Sequence, residues 1–390
     1  MRVYVVTLSD QLLANLIPIL MDPPDRVVAL VTPAMQRKGK DQIFADLLQS
    51  RGIAFEPHYD APDANFRVIQ EYSWRFAEAI ERQYPGAEIV LNSTGGNKLM
   101  TLGLVEAFQN VAPHIEYTDT AHRSIEVLYP EPGLHPMQQV LDVPTYLAAQ
   151  GFRYLRAESD DATWRQRAEK RKPAAKFLGQ NAPRLGLLFS VLNGMVNAAI
   201  QQKPDCRQVE LAHPVQKFHD DKPPFGVWQE ALQALHKAEV ISWSAEHPLE
   251  VTFLGLEEAG FVRGQWLEEY AWHILRDEAL ADVRMGVQGT WQREGDSRNE
   301  FDVLAVHENA MLYVECKTGR LENDAQLSYK TDSLGKGIKG LFGDSWILSA
   351  QNPDEELLKR AQHHQFTVLG PQEIPKLREK VQQWRDGMSG

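Results

Sequence analysis

Short apolar runs alternate with amphipathic segments along the first third of the chain. Residues 2–6, 26–31 and 87–91 have the nearly continuous apolar character of buried strands. Residues 35–50 and 67–83 carry apolar side chains at helical spacing. Strands separated by helices of this length predict a parallel, Rossmann-like α/β sheet with helices on both faces. In such sheets ligands bind beyond the carboxyl ends of the strands.

A polar loop rich in small residues follows the strand predicted at 87–91 and precedes a helical segment at 99–105. Its two glycines let the backbone approach a ligand closely, and the free N–H groups of the next helix attract an anion. A plain chain reversal is the alternative interpretation. The loop has neither the P-loop nor the Gly-x-Gly-x-x-Gly pattern, which disfavours an NTP or NAD site. The loop consists of Ser93, Thr94, Gly95, Gly96, Asn97 and Lys98.

The alternation stops in the middle of the chain. Helical patterns at 185–189 and 228–235 precede two predicted strands at 240–243 and 249–253, which together suggest a winged-helix-like module. Such a module either binds DNA or acts as a structural or dimerising linker, and the second role is favoured because base-reading side chains are few. A basic stretch at 153–172 either contacts phosphates or, as is more common, forms a salt-bridged helical face.

Two apolar runs in the last third, 299–306 and 311–317, flank a short polar turn and predict a β-hairpin. If the turn is centred on Glu308 and Asn309, Asp302 lies opposite Glu315, with Cβ atoms about 5 Å apart. Like charges so placed repel each other, and a divalent cation with oxygen ligands compensates them well. Lys317 shares the face of Glu315 and adds a cation where a phosphate would sit. The alternative is an ordinary hairpin with surface ion pairs.

The Asp302, Glu315-x-Lys317 arrangement resembles the PD-(D/E)XK nuclease superfamily. Upstream, apolar residues recur at helical spacing from Trp266, and Glu268 lies at the edge of their face. The Gly-x-Trp-Leu-Glu pattern from Gly264 to Glu268 resembles the first helix of those nucleases, whose Glu reaches the metal. The alternative treats Glu268 and Glu269 as surface acids. The resemblance implies a restriction-endonuclease-like α/β domain with Asp302, Glu315, Glu268 and Lys317 as catalytic residues, the three acids binding Mn²⁺ or Mg²⁺.

A Rossmann-like domain with this Ser-Thr-Gly-Gly-Asn-Lys loop resembles the CARF domain. The order of the two domains, across the whole chain, resembles the CRISPR ancillary nuclease or Card nuclease family of type III CRISPR systems. The resemblance implies a homodimer that binds cyclic oligoadenylate, with cyclic tetra-adenylate as the expected ring. Implied ligand contacts are Thr7, Ser9, Asp10, Gln11, Ser93, Thr94, Gly95, Gly96, Asn97, Lys98, Thr101 and Thr118, the last of which also fits a plain turn residue. Implied substrate contacts are Gln326 and Lys330.

Length and composition change this picture little. At 390 residues we expect a CARF-like domain at 1–140, a helical or winged-helix-like linker at 141–260 and a nuclease domain at 261–390. The net charge of −12 argues against non-specific coating of nucleic acid, but not against a local basic groove. The two cysteines lie far apart in the sequence, and we find no leader pattern, so we expect a cytoplasmic protein. Because no apolar segment is long enough, we expect no membrane span.

We therefore expect a DNA nickase or endonuclease, with RNA as a further substrate, that cyclic oligoadenylate activates allosterically in antiviral defence. Two alternatives stay open. One is a ligand-responsive DNA-binding regulator with an inert nuclease-like domain. The other is a constitutive restriction or repair nuclease whose Rossmann-like domain is structural.

Overall fold

In a computed structural model, the chain folds into two units. The first contains residues 1–154 together with the later residues 290–292 and 340. The second contains the other described residues, so the segment predicted as a central linker, 141–260, is divided between the units. The structure describes residues 1–202, 209–219, 222–292, 298–319, 340 and 343–387.

The first unit is built around a seven-stranded sheet. Its elements are β1 Arg2–Thr7, α1 Leu13–Met21, β2 Arg26–Leu30, α2 Pro33–Arg37, α3 Lys40–Gln49, β3 Ala54–His58, α4 Phe66–Gln83, β4 Glu88–Asn92, α5 Lys98–Phe108, β5 His114–Asp119, β6 Ser124–Tyr129, β7 Gly133–Pro136 and α6 Val143–Gln150. The strand order is β3-β2-β1-β4-β5-β6-β7, with the first five strands parallel. Strands β6 and β7 are antiparallel.

The order of these strands places a crevice at a defined point. From β1 the chain first adds β2 and β3 on one side and later adds β4 and β5 on the other. The carboxyl ends of β1 and β4 therefore flank the point where the order reverses, which is where parallel sheets bind ligands. The prediction of a single helix at 35–50 is wrong in one respect. The segment forms two helices, α2 and α3, because Gly39 between them has a left-handed backbone (φ 60°).

The remaining elements surround a six-stranded mixed sheet. They are β8 Phe152–Ala157, α7 Ala162–Gln180, α8 Ala182–Ala199, β9 Ile200–Gln202, β10 Val209–Leu211, β11 Val215–Lys217, α9 Val227–Lys237, β12 Ile241–Ser242, β13 Glu250–Phe253, α10 Leu256–Gly260, α11 Trp266–Asp277, β14 Asp282–Trp291, β15 Arg298–His307, β16 Ala310–Lys317, β17 Gly343–Ser349, α12 Glu355–His364, β18 Thr367–Leu369 and α13 Leu377–Asp386. The sheet order is β18-β17-β16-β15-β14-β8. Strand β16 pairs antiparallel with β15 and parallel with β17.

Helices α8 and α9 accompany a small antiparallel sheet, β11-β13-β12, which is the helix and hairpin arrangement expected of a winged-helix-like module. The basic stretch ahead of it is largely paired within α7 and its neighbours. Arg167 lies 2.8 Å from Glu257, and Lys172 lies 2.9 Å from Asp277. These ion pairs support the salt-bridged-face interpretation. Among the described residues, no helix combines the length and apolar character needed to cross a membrane.

Helix α11 is buried on most of its surface, and this includes His273, which is 0% exposed. Its Nε2 donates to the carbonyl of Ala168 at 3.1 Å. Burial lowers the pKa of His273 from 6.5 to about 4, although the bond to Ala168 opposes this shift. Between pH 6.5 and about 4, His273 is protonated in the unfolded chain but stays neutral in the folded chain. The unfolding free energy therefore falls as the pH falls through this range.

We expect the unfolding free energy to drop by about 2 kcal/mol between pH 7.5 and pH 5 through His273 alone. In His273→Gln this part of the pH dependence should disappear, while His363→Gln, at an exposed site, should retain it. Urea titrations at the two pH values measure the difference. An unchanged pH dependence in His273→Gln would refute the assignment.

Candidate active site and ligand loop

The hairpin of β15 and β16 has the predicted register. Val303 pairs with Val314 and His307 with Ala310, so the next pair outward is Asp302 with Glu315. The turn residues Glu308 and Asn309 both have positive φ, 48° and 58°. Two-residue hairpin turns of the favoured type need positive φ at both central positions. The turn therefore sets which two acids face each other, and the expected register is confirmed.

Three polar side chains follow one another along one face of β16. Glu315 is 0% exposed, accepts a hydrogen bond from the Tyr313 hydroxyl and lies 2.5 Å from Lys317 Nζ. Burial alone would lower the pKa of Lys317, but the carboxylates of Glu315 and Asp302 raise it above its ordinary value. Lys317 is thus held as a cation beside a buried carboxylate. Sequence reasoning missed Tyr313, which it counted only as part of an apolar run, although its spacing of two residues from Glu315 places it on the same face.

Asp302 has a protein partner of its own. Its carboxylate accepts a hydrogen bond from the backbone N–H of Cys316 at 2.7 Å. Part of the compensation expected for the opposed carboxylates comes from the protein, because a backbone N–H donates to Asp302, while Tyr313 and Lys317 contact Glu315. The Cys316 side chain is buried, in agreement with the alternation of side chains along the strand.

A break in the helix path precedes α11, the helix that carries Glu268. Between α10 and α11, Gly264 has φ 176° and ψ −30°, outside the helical region. A Cβ built on Gly264 would lie 2.9 Å from Thr318 Oγ1, and that hydroxyl donates to the carbonyl of Arg263 at 3.0 Å. The start of α11 therefore lies against the residue that follows Lys317.

The half-buried Glu268 belongs to the first turn of α11. Burial raises the pKa of its carboxyl well above the ordinary value, and the nearby carboxylate of Asp302 raises it further, while Lys317 opposes the rise. The structure thus places Glu268 within electrostatic range of Asp302 and Lys317. Its neighbour Glu269 is buried and paired with Arg171, so the alternative that treated both as surface acids is wrong for Glu269.

Two further acids, Glu158 and Glu300, act on the same environment, and sequence reasoning missed both. Each raises the pKa of Glu268. Glu158 follows β8 and lies over Gly286, where a Cβ would come within 2.6 Å of its Cγ. Gly286 has φ +62° and leaves the space that this side chain occupies. Glu158 is remote in sequence, so no local pattern connects it with α11; Glu300 is two residues from Asp302 and shares its face.

The donor chemistry of this cluster suits a hard divalent cation. Asp302, Glu315 and Glu268 supply only oxygen atoms, which Mg²⁺ and Mn²⁺ prefer, and neighbouring acids raise the cost of ionising Glu268. Within the part of the chain that the structure describes, however, no three His, Cys, Asp or Glu side chains lie close enough to hold a metal ion. The two substrate contacts predicted at Gln326 and Lys330 lie outside the described residues.

In the first unit, the loop after β4 packs directly on the end of β1. A Cβ on Gly95 would lie 1.7 Å from the carbonyl oxygen of Thr7, so only glycine fits there. Gly96 has φ +82°, which also favours glycine. The Thr7 carbonyl accepts from Asn15 Nδ2 at 2.8 Å. The two predicted walls of the ligand site, the β1 end and the glycine loop, are therefore in contact.

Several predicted ligand residues use their side chains within the fold. Ser93 donates to the Glu116 carbonyl at 3.0 Å, and the Thr94 hydroxyl accepts from the backbone N–H of Thr118 at 2.7 Å. Thr101 donates to the Ser93 carbonyl at 3.2 Å. These bonds fix the loop on β5 and α5. Thr118 is fully buried within β5, so the alternative that made it a turn residue is wrong.

Other predicted ligand residues are exposed or partly exposed. Asn97 caps α5 by accepting from the N–H groups of Leu99 and Met100, and Lys98 is exposed at the start of that helix. Asp10 pairs with Lys38 at 2.6 Å. The remaining two, Ser9 and Gln11, are partly exposed, with Ser9 Oγ 3.4 Å from the Gln11 carbonyl. In contrast, the Thr7 hydroxyl is buried and has no hydrogen-bond partner among the described residues.

A Rossmann-like unit with this loop, joined to a mixed sheet that carries Asp302, Glu315 and Lys317, defines the class of CARF-domain nucleases. Residues 3–146 match the Card1 CARF domain, and residues 256–388 match the Card1-like endonuclease domain. The chain therefore belongs to the Card1-type CARF nucleases and contains an endonuclease domain, which confirms the predicted fold class. No curated protein sequence matches it.

Solved structures share this fold over nearly the full chain. A protein from Vibrio cholerae superposes with a TM-score of 0.84 at 20% identity, covering 99% of this chain and 98% of that one. Can2 from Sulfobacillus thermosulfidooxidans, solved in complex with cyclic tetra-adenylate, gives 0.73 at 24% identity, covering 98% and 99%. A type III CRISPR defence DNA nuclease activated by cyclic oligoadenylate gives 0.51 at 14% identity, covering 92% of this chain and 51% of that one.

Proposed function

We propose that this protein is a metal-dependent endonuclease of type III CRISPR defence that cyclic oligoadenylate activates, with cyclic tetra-adenylate as the expected ring. The observation that carries the proposal is the β15–β16 hairpin, whose register sets Asp302 opposite Glu315 with Lys317 2.5 Å from Glu315, beside the Gly264 break that precedes α11. The substrate is DNA, with RNA as a further candidate. The complex of Can2 with cyclic tetra-adenylate supports the choice of activator.

In this proposal Asp302, Glu315 and Glu268 hold Mn²⁺ or Mg²⁺. The bound ion would supply a water of lowered pKa and neutralise charge on the phosphate. Lys317 binds a non-bridging phosphate oxygen and stabilises the negative charge that develops as the phosphodiester is attacked. Tyr313 holds the Glu315 carboxylate in place through its hydroxyl. Because Lys317 already lies 2.5 Å from Glu315, its ammonium group is positioned before substrate arrives.

The activator is proposed to bind at the crevice between the ends of β1 and β4. The tight contact of Gly95 with Thr7 allows backbone N–H groups to approach the ligand, and the start of α5 favours an anion. The buried Thr7 hydroxyl, without a partner among the described residues, supplies a further polar atom. Exposed Lys98 adds a positive charge. Two copies of this unit would together enclose one ring, so the protein is proposed to work as a homodimer.

One assay tests the proposal. Plasmid DNA and a single-stranded RNA are incubated with the protein and Mn²⁺, with cyclic tri-, tetra- or hexa-adenylate or with none. We expect cleavage that requires both Mn²⁺ and cyclic tetra-adenylate and that EDTA abolishes. Equal cleavage without any cyclic oligonucleotide would instead identify a constitutive nuclease. Activator binding without cleavage of either substrate would instead favour a regulator with an inert nuclease domain.

A further inference from the structure

A buried ion-pair cluster lies behind the candidate active site. Arg171 of α7 donates from Nε and Nη2 to the two carboxylate oxygens of Glu269, at 3.2 and 2.6 Å, and from Nη1 to Glu257 at 2.8 Å. Arg171 is 3% exposed and Glu269 is 1% exposed. A well-packed apolar pair of similar volume is often as stable as a buried ion pair. The buried ion pairs are therefore weak evidence for a stabilising role, and their directional contacts suggest another one.

The cluster joins the two helices on either side of the break. Glu257 belongs to α10 and Glu269 to α11, with the non-helical Gly264 between them. The ring of Phe261, in the connecting turn, lies 5.4 Å from the guanidinium carbon of Arg171. One side chain from α7 thus contacts both helices and the turn between them. A planar guanidinium with five donors in a fixed geometry suits this task, since its contacts are directional.

One face of α11 rests on α7. Glu269 and, one turn later, His273 both rest on α7, the latter through its bond to the Ala168 carbonyl. Successive residues of an α-helix point about 100° apart. With Glu269 held on α7, Glu268 is directed away from α7 and toward the side where α11 packs on β15 and β16, the strands of the candidate site.

We propose that Arg171 is a positioning residue for Glu268. Through Glu269 it sets the rotation of α11 about its axis, and through Glu257 it sets the angle of the break, so that the Glu268 carboxylate faces Asp302. Arg171 itself touches neither substrate nor metal. The inference rests on the proposed function, in which Glu268 is a metal ligand. Groups that orient metal ligands affect metal affinity or activity by about 10–100-fold when they are replaced.

The test is the double variant Arg171→Met/Glu269→Met in the full chain. It removes the directional pair without leaving a buried charge unpaired, and Glu257 retains Arg167 at 2.8 Å. We expect an unchanged thermal unfolding midpoint, about tenfold weaker Mn²⁺ binding by calorimetry and a kcat lowered by about 10–100-fold at unchanged KM. A purely structural role would lower the midpoint and leave Mn²⁺ affinity and kcat of the folded protein unchanged.

The matched control is Arg276→Met/Glu169→Met, which removes another ion pair between α7 and α11, exposed and 2.8 Å long. Its Mn²⁺ affinity and kcat should stay within about twofold of the parent values. If the first double variant fails to fold, Arg171→Lys carries the test, because lysine retains the charge but loses the two-pronged contact. Parental Mn²⁺ affinity and kcat in the folded Arg171 variant would overturn the inference.

Failure of the inference and failure of the proposed function give different results. If Glu268→Gln and Glu315→Gln both bind Mn²⁺ as the parent does, the proposed metal site is wrong. If those two variants lose Mn²⁺ while the Arg171 variant retains it, the metal site stands and the positioning role alone is refuted. Calorimetry supplies this distinction without cleavage.

Discussion

Glu315→Gln is expected to lower the cleavage rate by roughly 10³-fold or more while leaving the fold intact. The amide keeps the size of the side chain and can still accept from Tyr313, but it loses the charge that a divalent cation and Lys317 require. Lys317 is 31% exposed, so its ammonium group can turn to water when its partner is gone. Lys317→Ala should abolish cleavage to a similar extent because the developing phosphate charge is then unopposed.

The measurement is plasmid nicking under single-turnover conditions, with circular dichroism and thermal unfolding to check the fold. Two matched controls are available. Glu308→Gln changes an acid at the turn of the same hairpin, and Lys359→Ala removes an exposed lysine on α12. Both should cleave as the parent does. Retention of more than about a tenth of the parental rate in both site variants would rule out the catalytic assignment.

Gly95→Ala is expected to disrupt the contact between the glycine loop and β1. The added Cβ would lie 1.7 Å from the Thr7 carbonyl oxygen and 3.0 Å from Asn15 Nδ2, which donates to that carbonyl. Two backbone segments must therefore separate. We expect the unfolding free energy of this unit to fall by about 2–4 kcal/mol and binding of cyclic tetra-adenylate to be lost.

Gly86→Ala is the matched control, because a Cβ there meets nothing within 4 Å. Its left-handed backbone (φ +73°) limits the expected cost to about 1–2 kcal/mol, with ligand binding retained. Urea unfolding and calorimetric titration with the cyclic oligonucleotide report the two effects separately. Parental stability and affinity in Gly95→Ala would show that the loop does not pack on the Thr7 carbonyl.

Predictions from sequence succeeded where the determining interactions are local. The apolar runs that predicted β1, β2 and β4 need only neighbouring residues, and the hairpin register followed from a two-residue turn. They failed where a partner comes from a distant element. Helical spacing could not show that Glu269 is fully buried beside the half-buried Glu268, because this burial depends on Arg171 in α7. The break at Gly39 was missed because a glycine within a helical pattern is also tolerated.

By itself, the sequence determined the order of the two domains, the glycine loop after β4 and the pairing of Asp302 with Glu315, since each depends on residues close together along the chain. Only the tertiary structure decided that Tyr313 and Lys317 share the Glu315 carboxylate, that Glu158 joins the acids around Glu268, and that Arg171 holds α11. The contacts of Glu158 and Arg171 join side chains from separate elements, so their geometry depends on how those elements pack. Tyr313, Glu315 and Lys317 lie on one face of β16, but the burial that holds them together also depends on packing.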